Sequence, residues 1–120
     1  ILTHTVRHTN ELLCGEKALE DLKQNEYIGE LAAEKLIYYP TVTREPYRNQ
    51  GRLTNLVENG KLFEDIGLPP LDPAVDRAMI CGSAAMLKDS RAMLDNRGFR
   101  MSRRIGDVAD YVIEHAFIEK

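Results

Sequence analysis

What the sequence lacks removes several classes of function at the outset. It contains no G-x-x-x-x-G-K-[ST] segment, so phosphoryl transfer over a P-loop is excluded, and no G-x-G-x-x-G turn occurs either. If the chain is a dinucleotide-binding domain, its glycine-rich turn lies upstream of Ile1. Cysteine is scarce: Cys14 and Cys81 have no CxxC or CxxH spacing, which indicates neither a zinc site nor a disulfide framework and fits a reducing cytoplasm. His4, His8 and His115 share no metal-ligand spacing, and a histidine within a strand is more often a satisfied core residue. No apolar stretch approaches the length of a membrane helix, and nothing resembles a signal peptide. A basic excess is also missing. With a net charge of -3 over 120 residues, binding to a nucleic-acid backbone is not expected, and any basic site has to be local. There is no repeat and no low-complexity tract. No initiator methionine precedes Ile1, which already sits in a strand pattern, so the chain reads as a piece of a longer one.

What is present alternates. One domain at most fits this length, with enough residues to bury a core. Ile1 to Val6 reads as a buried strand, followed by an amphipathic helix from Thr9 to Leu22 with Leu12, Leu19 and Leu22 on one face. A second short helix is expected from Tyr27 to Ala33. Leu36 to Thr43 is the strongest strand signal, nearly all apolar, β-branched or aromatic, as in a strand covered on both sides. Glu45 to Gly51 is a loop. Arg52 to Glu58 and Lys61 to Ile66 are short helices, punctuated by Asn59-Gly60 and by Gly67-Leu68-Pro69-Pro70. Asp72-Pro73 has the form of a helix cap with proline in the first helical position. Arg77 to Cys81 reads as a short buried strand, and Gly82-Ser83 opens a helix that ends at Asn96-Arg97-Gly98. Phe99 to Ser102 is a further strand candidate, and Asp110 to Phe117 the last extended segment. This grammar implies an α/β fold, a mainly parallel sheet with helices on both faces.

The arginines stand at informative places. Arg7 and Arg44 follow strands, and Arg52 opens a helix pattern nearby. Ligands of open α/β sheets bind outside the carboxyl ends of the strands, and the guanidinium fork matches phosphate oxygens two at a time. A phosphorylated nucleotide is the natural occupant. The alternative is that Arg44 and Arg52 are solvated loop charges paired with Glu45 or Glu58. Met79-Ile80-Cys81-Gly82-Ser83 is a second strand-end motif, where Gly82 and a Ser-capped helix let backbone approach a ligand and place Cys81 near its reactive end. Against this, a strand cysteine is more commonly a small buried residue, and no histidine is placed in sequence to activate Cys81 as a covalent nucleophile.

Taken together, Leu2-Thr3-His4-Thr5-Val6-Arg7, Tyr38-Tyr39-Pro40-Thr41-Val42-Thr43-Arg44-Glu45, Gly51-Arg52-Leu53-Thr54, Met79-Ile80-Cys81-Gly82-Ser83 and the ending Asp110 to Lys120 resemble the bacterial ferredoxin/flavodoxin–NADP reductases. The resemblance covers essentially the whole chain and falls on the NADP-binding domain of those two-domain flavoproteins. It implies that the FAD-binding β-barrel, and the first strand with its glycine-rich turn, precede residues 1–120. It also implies roles. Arg7, Arg44 and Arg52 hold the adenosine 2′-phosphate that separates NADP from NAD, with Val6 and Thr43 beside them. Met79, Ile80, Cys81, Gly82 and Ser83 pass the pyrophosphate and nicotinamide, and Cys81 and Glu114 adjoin the reacting centre. Ala116 stands where plant-type relatives stack a tyrosine on the flavin, and Phe117, Ile118, Glu119 and Lys120 extend along FAD. Between Ser102 and Asp110 the chain departs from the proline-containing turn of relatives. The implied activity is hydride exchange between NADP(H) and FAD, followed by electron transfer with ferredoxin or flavodoxin, in a cytoplasmic monomer. Two alternatives stand beside it: a reductase serving an oxygenase, a haem or free flavin, and a nucleotide-binding module without redox chemistry.

Overall fold

A computed structural model describes residues 1–104 and 106–115, in two compact units, 1–68 and 69–120. The fold is α/β, and every strand pairing in it is parallel. The expected sheet is found as two separate strand pairs, one in each unit.

In the first unit β1 (Leu2–Val6) lies parallel to β2 (Tyr38–Val42), with Leu2 opposite Tyr38 and Val6 opposite Val42. Between them run a single 3-10 turn (Thr9–Leu12), α1 (Leu13–Lys23) and α2 (Gly29–Lys35). β2 is buried along nearly its whole length, as its β-branched and aromatic residues require, and the Thr41 hydroxyl donates to that of Thr5 at 2.7 Å across the pair. Pro40 is tolerated inside this strand because, like Val42, it turns its backbone edge away from β1. There its carbonyl accepts from the Asn49 side-chain amide at 2.9 Å. The expectation of a buried first strand is corrected: β1 is half-buried at most, because β2 and α1 leave one of its sides open. His4 within it is satisfied, its Nδ1 lying 3.3 Å from the Tyr38 hydroxyl.

The helices α3 (Leu53–Glu58) and α4 (Lys61–Ile66) follow β2, and their Leu56, Val57, Leu62 and Phe63 are buried, as are Tyr39, Val42 and Leu12. Gly67 ends α4 at φ 71°, the left-handed conformation that glycine adopts without strain. The Tyr39 hydroxyl donates to Asp65 at 2.6 Å and the Lys61 ammonium to the same carboxylate at 2.6 Å, fastening α4 to β2.

In the second unit β3 (Ala78–Gly82) pairs in parallel with β4 (Tyr111–His115), and α5 (Ala84–Asn96) packs on both. Leu87, Met93, Leu94, Phe99 and Tyr111 form the core. Asp110 organises the entry to β4: its carboxylate accepts from the Arg100 backbone at 2.9 Å, its carbonyl from the Ala78 amide at 3.1 Å, and Arg77 lies 3.6 Å away. Three expectations need correction here. Asp72 does cap, accepting from the Ala74 amide at 2.9 Å, but no helix follows: the Asp76 carboxylate folds back onto the Asp72 amide and closes a single turn. Phe99 to Ser102 contributes one isolated bridge, Met101 to Tyr111, and no strand: the Tyr111 amide donates to the Arg100 carbonyl at 3.2 Å and the Ser102 amide to the Tyr111 carbonyl at 2.8 Å, and the pairing goes no further. β3 is also not buried. Its residues alternate, Met79 being 83% exposed, since only one face of this strand pair meets α5. No helix among the described residues is long and apolar enough to cross a membrane.

Two outcomes test this packing. A Gly→Ala change within a helix ordinarily gains up to about 1 kcal/mol. At Gly29, however, an added Cβ would stand 2.3 Å from the Lys23 carbonyl oxygen, in the tight junction between α1 and α2. Gly29→Ala should therefore destabilise, by about 1–3 kcal/mol in urea unfolding; a gain in stability would show that the junction is loose.

The second concerns acid. The Lys61 ammonium first, and then the Tyr39 hydroxyl, hold the Asp65 carboxyl below the usual carboxylate range. A depressed carboxyl stabilises fully above its unfolded value and loses that contribution as pH falls through the folded one. Urea midpoints of the wild-type protein and Asp65→Asn should differ at neutral pH and converge in acid. A gap that persists unchanged into acid contradicts the assignment.

Candidate functional site

Hydrogen bonds between the parallel strands continue beyond the last strand residues. The Thr43 amide donates to the Val6 carbonyl at 3.0 Å, and the Arg44 amide to the Arg7 carbonyl at 3.0 Å. The two arginines that follow β1 and β2 are therefore one backbone hydrogen bond apart. Val6 and Thr43 are half-buried beneath them, with the Thr43 hydroxyl 3.5 Å from the Val6 carbonyl.

The loop after β2 returns to the same end. The Val42 amide donates to the Asn49 carbonyl at 3.2 Å, and the Gly51 amide to the Val42 carbonyl at 2.9 Å. Arg52, the residue that precedes α3, is thus carried back beside the end of β2, in extended backbone and exposed. The three arginines singled out from sequence share one end of one strand pair. Arg7 and Arg44 are both exposed, and neither guanidinium is engaged in an ion pair or hydrogen bond among the described residues. The alternative pairing of Arg44 with Glu45 is not what the chain adopts. Glu45 turns to the His8 Nδ1 at 2.8 Å and the Thr9 hydroxyl at 2.9 Å. The Thr9 hydroxyl, more than His8, holds the Glu45 carboxyl below its usual range.

The second unit presents a different surface. In the β3–β4 register Met79 lies beside Val112 and Cys81 beside Glu114. All four are exposed, on the face of the pair turned away from α5. Cys81 is therefore an accessible thiol rather than the small buried residue that strand cysteines usually are. Ile80 is half-buried on the α5 side. Ser83 caps α5, its Oγ accepting from the Met86 amide at 3.3 Å. A Cβ at Gly82 would meet the Met86 sulfur, so the glycine leaves room for the side chain of its own helix. Such an open face, with a thiol and a carboxylate side by side at the strand ends, can lie flat against a planar ring. The tail residues Ala116, Phe117, Ile118, Glu119 and Lys120, assigned to FAD by resemblance, lie outside the described residues.

From sequence, His8 is a histidine without metal spacing, Glu45 an alternative partner of Arg44, and Thr9 and Asn49 have no site role. A signal existed for three of them: His8 and Thr9 directly follow Arg7, and Glu45 directly follows Arg44.

Comparison with known proteins gives one consistent result. The chain is 58% identical over 120 residues to a ferredoxin–NADP reductase of Azotobacter vinelandii and 56% identical over 120 residues to one of Pseudomonas aeruginosa, matching 100% of its own length in both. Over its whole length it is similar to ferredoxin–NADP reductases. A flavodoxin/ferredoxin–NADP reductase of Rhodobacter capsulatus is 41% identical over 118 residues. The chain spans about half the length of these curated relatives, 46% of the Azotobacter and Pseudomonas reductases and 43% of the Rhodobacter one. A crystal structure of a ferredoxin NADP+ reductase from Neisseria gonorrhoeae with bound FAD and NADP superposes with a TM-score of 0.74 over 97% of this chain and 44% of that one, at 24% identity. That likeness bears on the fold. No protein-family model matches the chain.

The capping geometry separates a structural from a ligand-binding contribution at Ser83. Removing an N-cap hydroxyl costs about 0.5–2 kcal/mol, so Ser83→Ala should lower the unfolding midpoint while Ser83→Asp, which restores a cap, should not. Equal loss in both variants would show that the cap does not hold α5.

Proposed function

We propose that residues 1–120 are the NADP-binding portion of a two-domain, flavin-dependent ferredoxin/flavodoxin–NADP reductase. The observation that carries this reading is the placement of Arg7 and Arg44 at adjoining strand ends, joined through one backbone hydrogen bond, with both guanidiniums uncommitted. Two such forks, with Arg52 at the same end, suit a phosphate ester. In this reading they bind the 2′-phosphate of NADP, a charge that NAD lacks.

The open β3–β4 face supports the other half of the reading. Met79, Cys81 and Glu114 offer an uncovered strand-end surface for the nicotinamide, and Cys81 acts by shape and contact rather than as a nucleophile. FAD, when bound, supplies the exchange between hydride and single electrons. This chain's residues bind, orient and discriminate the coenzyme, so that the reacting groups meet without a diffusional search. That the chain spans 46% of its Azotobacter and Pseudomonas relatives supports the view that a preceding strand with its glycine-rich turn, and an FAD-binding barrel, complete the protein. The composition supports a cytoplasmic location.

The test uses the full-length protein reducing ferredoxin and flavodoxin with NADPH or NADH. Losing a charge-assisted contact costs about 1.5–3 kcal/mol, so Arg44→Ala should raise the KM for NADPH roughly ten-fold or more. The KM for NADH should barely move. Equal damage with both coenzymes defeats the 2′-phosphate assignment, and failure to reduce either acceptor defeats the proposed reaction.

A further inference from the structure

Beside the two arginines lies a polar cluster that the binding of phosphate does not by itself require. The His8 Nδ1 lies 2.8 Å from one oxygen of Glu45, and the Thr9 hydroxyl donates to the other at 2.9 Å. A carboxylate only accepts, so the His8 Nδ1 is the donor of this hydrogen bond. The Glu11 carboxylate in turn accepts from the His8 amide at 3.1 Å, fixing the backbone from which the imidazole projects. His8 and Thr9 directly follow Arg7, and Glu45 directly follows Arg44. The two arginine-bearing segments are thus joined twice, by the Arg44 amide to the Arg7 carbonyl and, one residue further on, by this clamp.

Glu45 has an alternative that would harm the site. A carboxylate next to Arg44 in sequence can pair with a guanidinium through two oxygens, the same geometry that a phosphate uses. It would then compete with the ligand and repel it. In the structure both of its oxygens are taken up elsewhere, and Arg7 and Arg44 stay uncommitted.

We infer that Glu45, clamped by His8 and Thr9, is a positioning and selectivity-determining residue of the arginine site. The clamp sets the spacing of the two arginine segments and withholds the Glu45 carboxylate from them. The hydrogen bonds also hold the Glu45 carboxyl below its usual range, the Thr9 hydroxyl contributing most. The His8 and Glu45 side chains are 47% and 35% exposed, and exposed pairs contribute little to folding. The effect therefore falls on ligand selectivity. The inference rests on the 2′-phosphate reading above, and its test keeps the two apart.

Binding of 2′,5′-ADP and of 5′-AMP to the full-length protein is measured by calorimetry, which needs no turnover. The double variant His8→Leu/Thr9→Val releases Glu45 and should weaken 2′,5′-ADP about five- to ten-fold, the scale of one lost polar contact, with 5′-AMP unchanged. Adding Glu45→Gln to the double variant removes the freed charge and should recover most of the loss. Thr9→Ser, which keeps the hydroxyl, should bind as the wild-type protein does and serves as the control if the double variant folds poorly. Unaltered preference in the double variant, equal weakening of both nucleotides, or no recovery on adding Glu45→Gln overturns the inference while leaving the 2′-phosphate reading in place. A wild-type protein that does not prefer 2′,5′-ADP over 5′-AMP overturns that reading itself.

Discussion

The arrangement of the first unit depends on the register between β1 and β2. Parallel pairing sets Val6 opposite Val42, and the same hydrogen-bond sequence runs on to join Thr43 with Val6 and Arg44 with Arg7. A shift by one residue would turn the buried Thr41 and Tyr39 to the other face and separate the two arginines. Burial enforces the register: Val42 and Thr41 are fully enclosed, and the Thr5–Thr41 hydroxyl pair has a partner in only one alignment. Position of charge at the surface is in this way fixed by packing in the core. The guanidiniums need no contacts of their own to be held near each other.

Features governed by local chemistry were legible in the sequence. Ser83 as a cap, Gly67 and Gly98 as helix stops, and the β-branched run of β2 were readable because each acts through its own backbone or its nearest neighbours. Arg7, Arg44 and Arg52 were readable as neighbours because strand ends of a parallel fold gather on one side. Features that depend on what covers a face were not. β3 looks buried from composition, yet its alternation places Met79 and Cys81 in the open. Asp72-Pro73 carries a correct cap signal, but only a single turn follows, closed by the Asp76 carboxylate on the Asp72 amide.

The contacts within the His8–Thr9–Glu45 cluster were illegible for a different reason. Its members are separated by 36 and 37 positions, and nothing in their types distinguishes them from solvated charges. They meet because the strand register brings the two turns together. Such residues are found only once the pairing is known. Beside the isolated Met101 bridge, the Asp110 side chain takes up the Arg100 amide.

The return of the loop onto Val42 has a further consequence. Both backbone groups on the outer side of Val42 are occupied, one by Asn49 and the other by Gly51, and the Asn49 side chain holds the Pro40 carbonyl. Residues 46–48 are therefore an excursion pinned at its base, and Arg52 takes its place from the base rather than from the excursion. Loop-closure entropy grows only slowly with length, so this short stretch is free to lengthen, shorten or change composition over evolution without moving the arginine behind it. The fold thereby separates the excursion at 46–48 from the position of Arg52, which the anchored base of the loop sets.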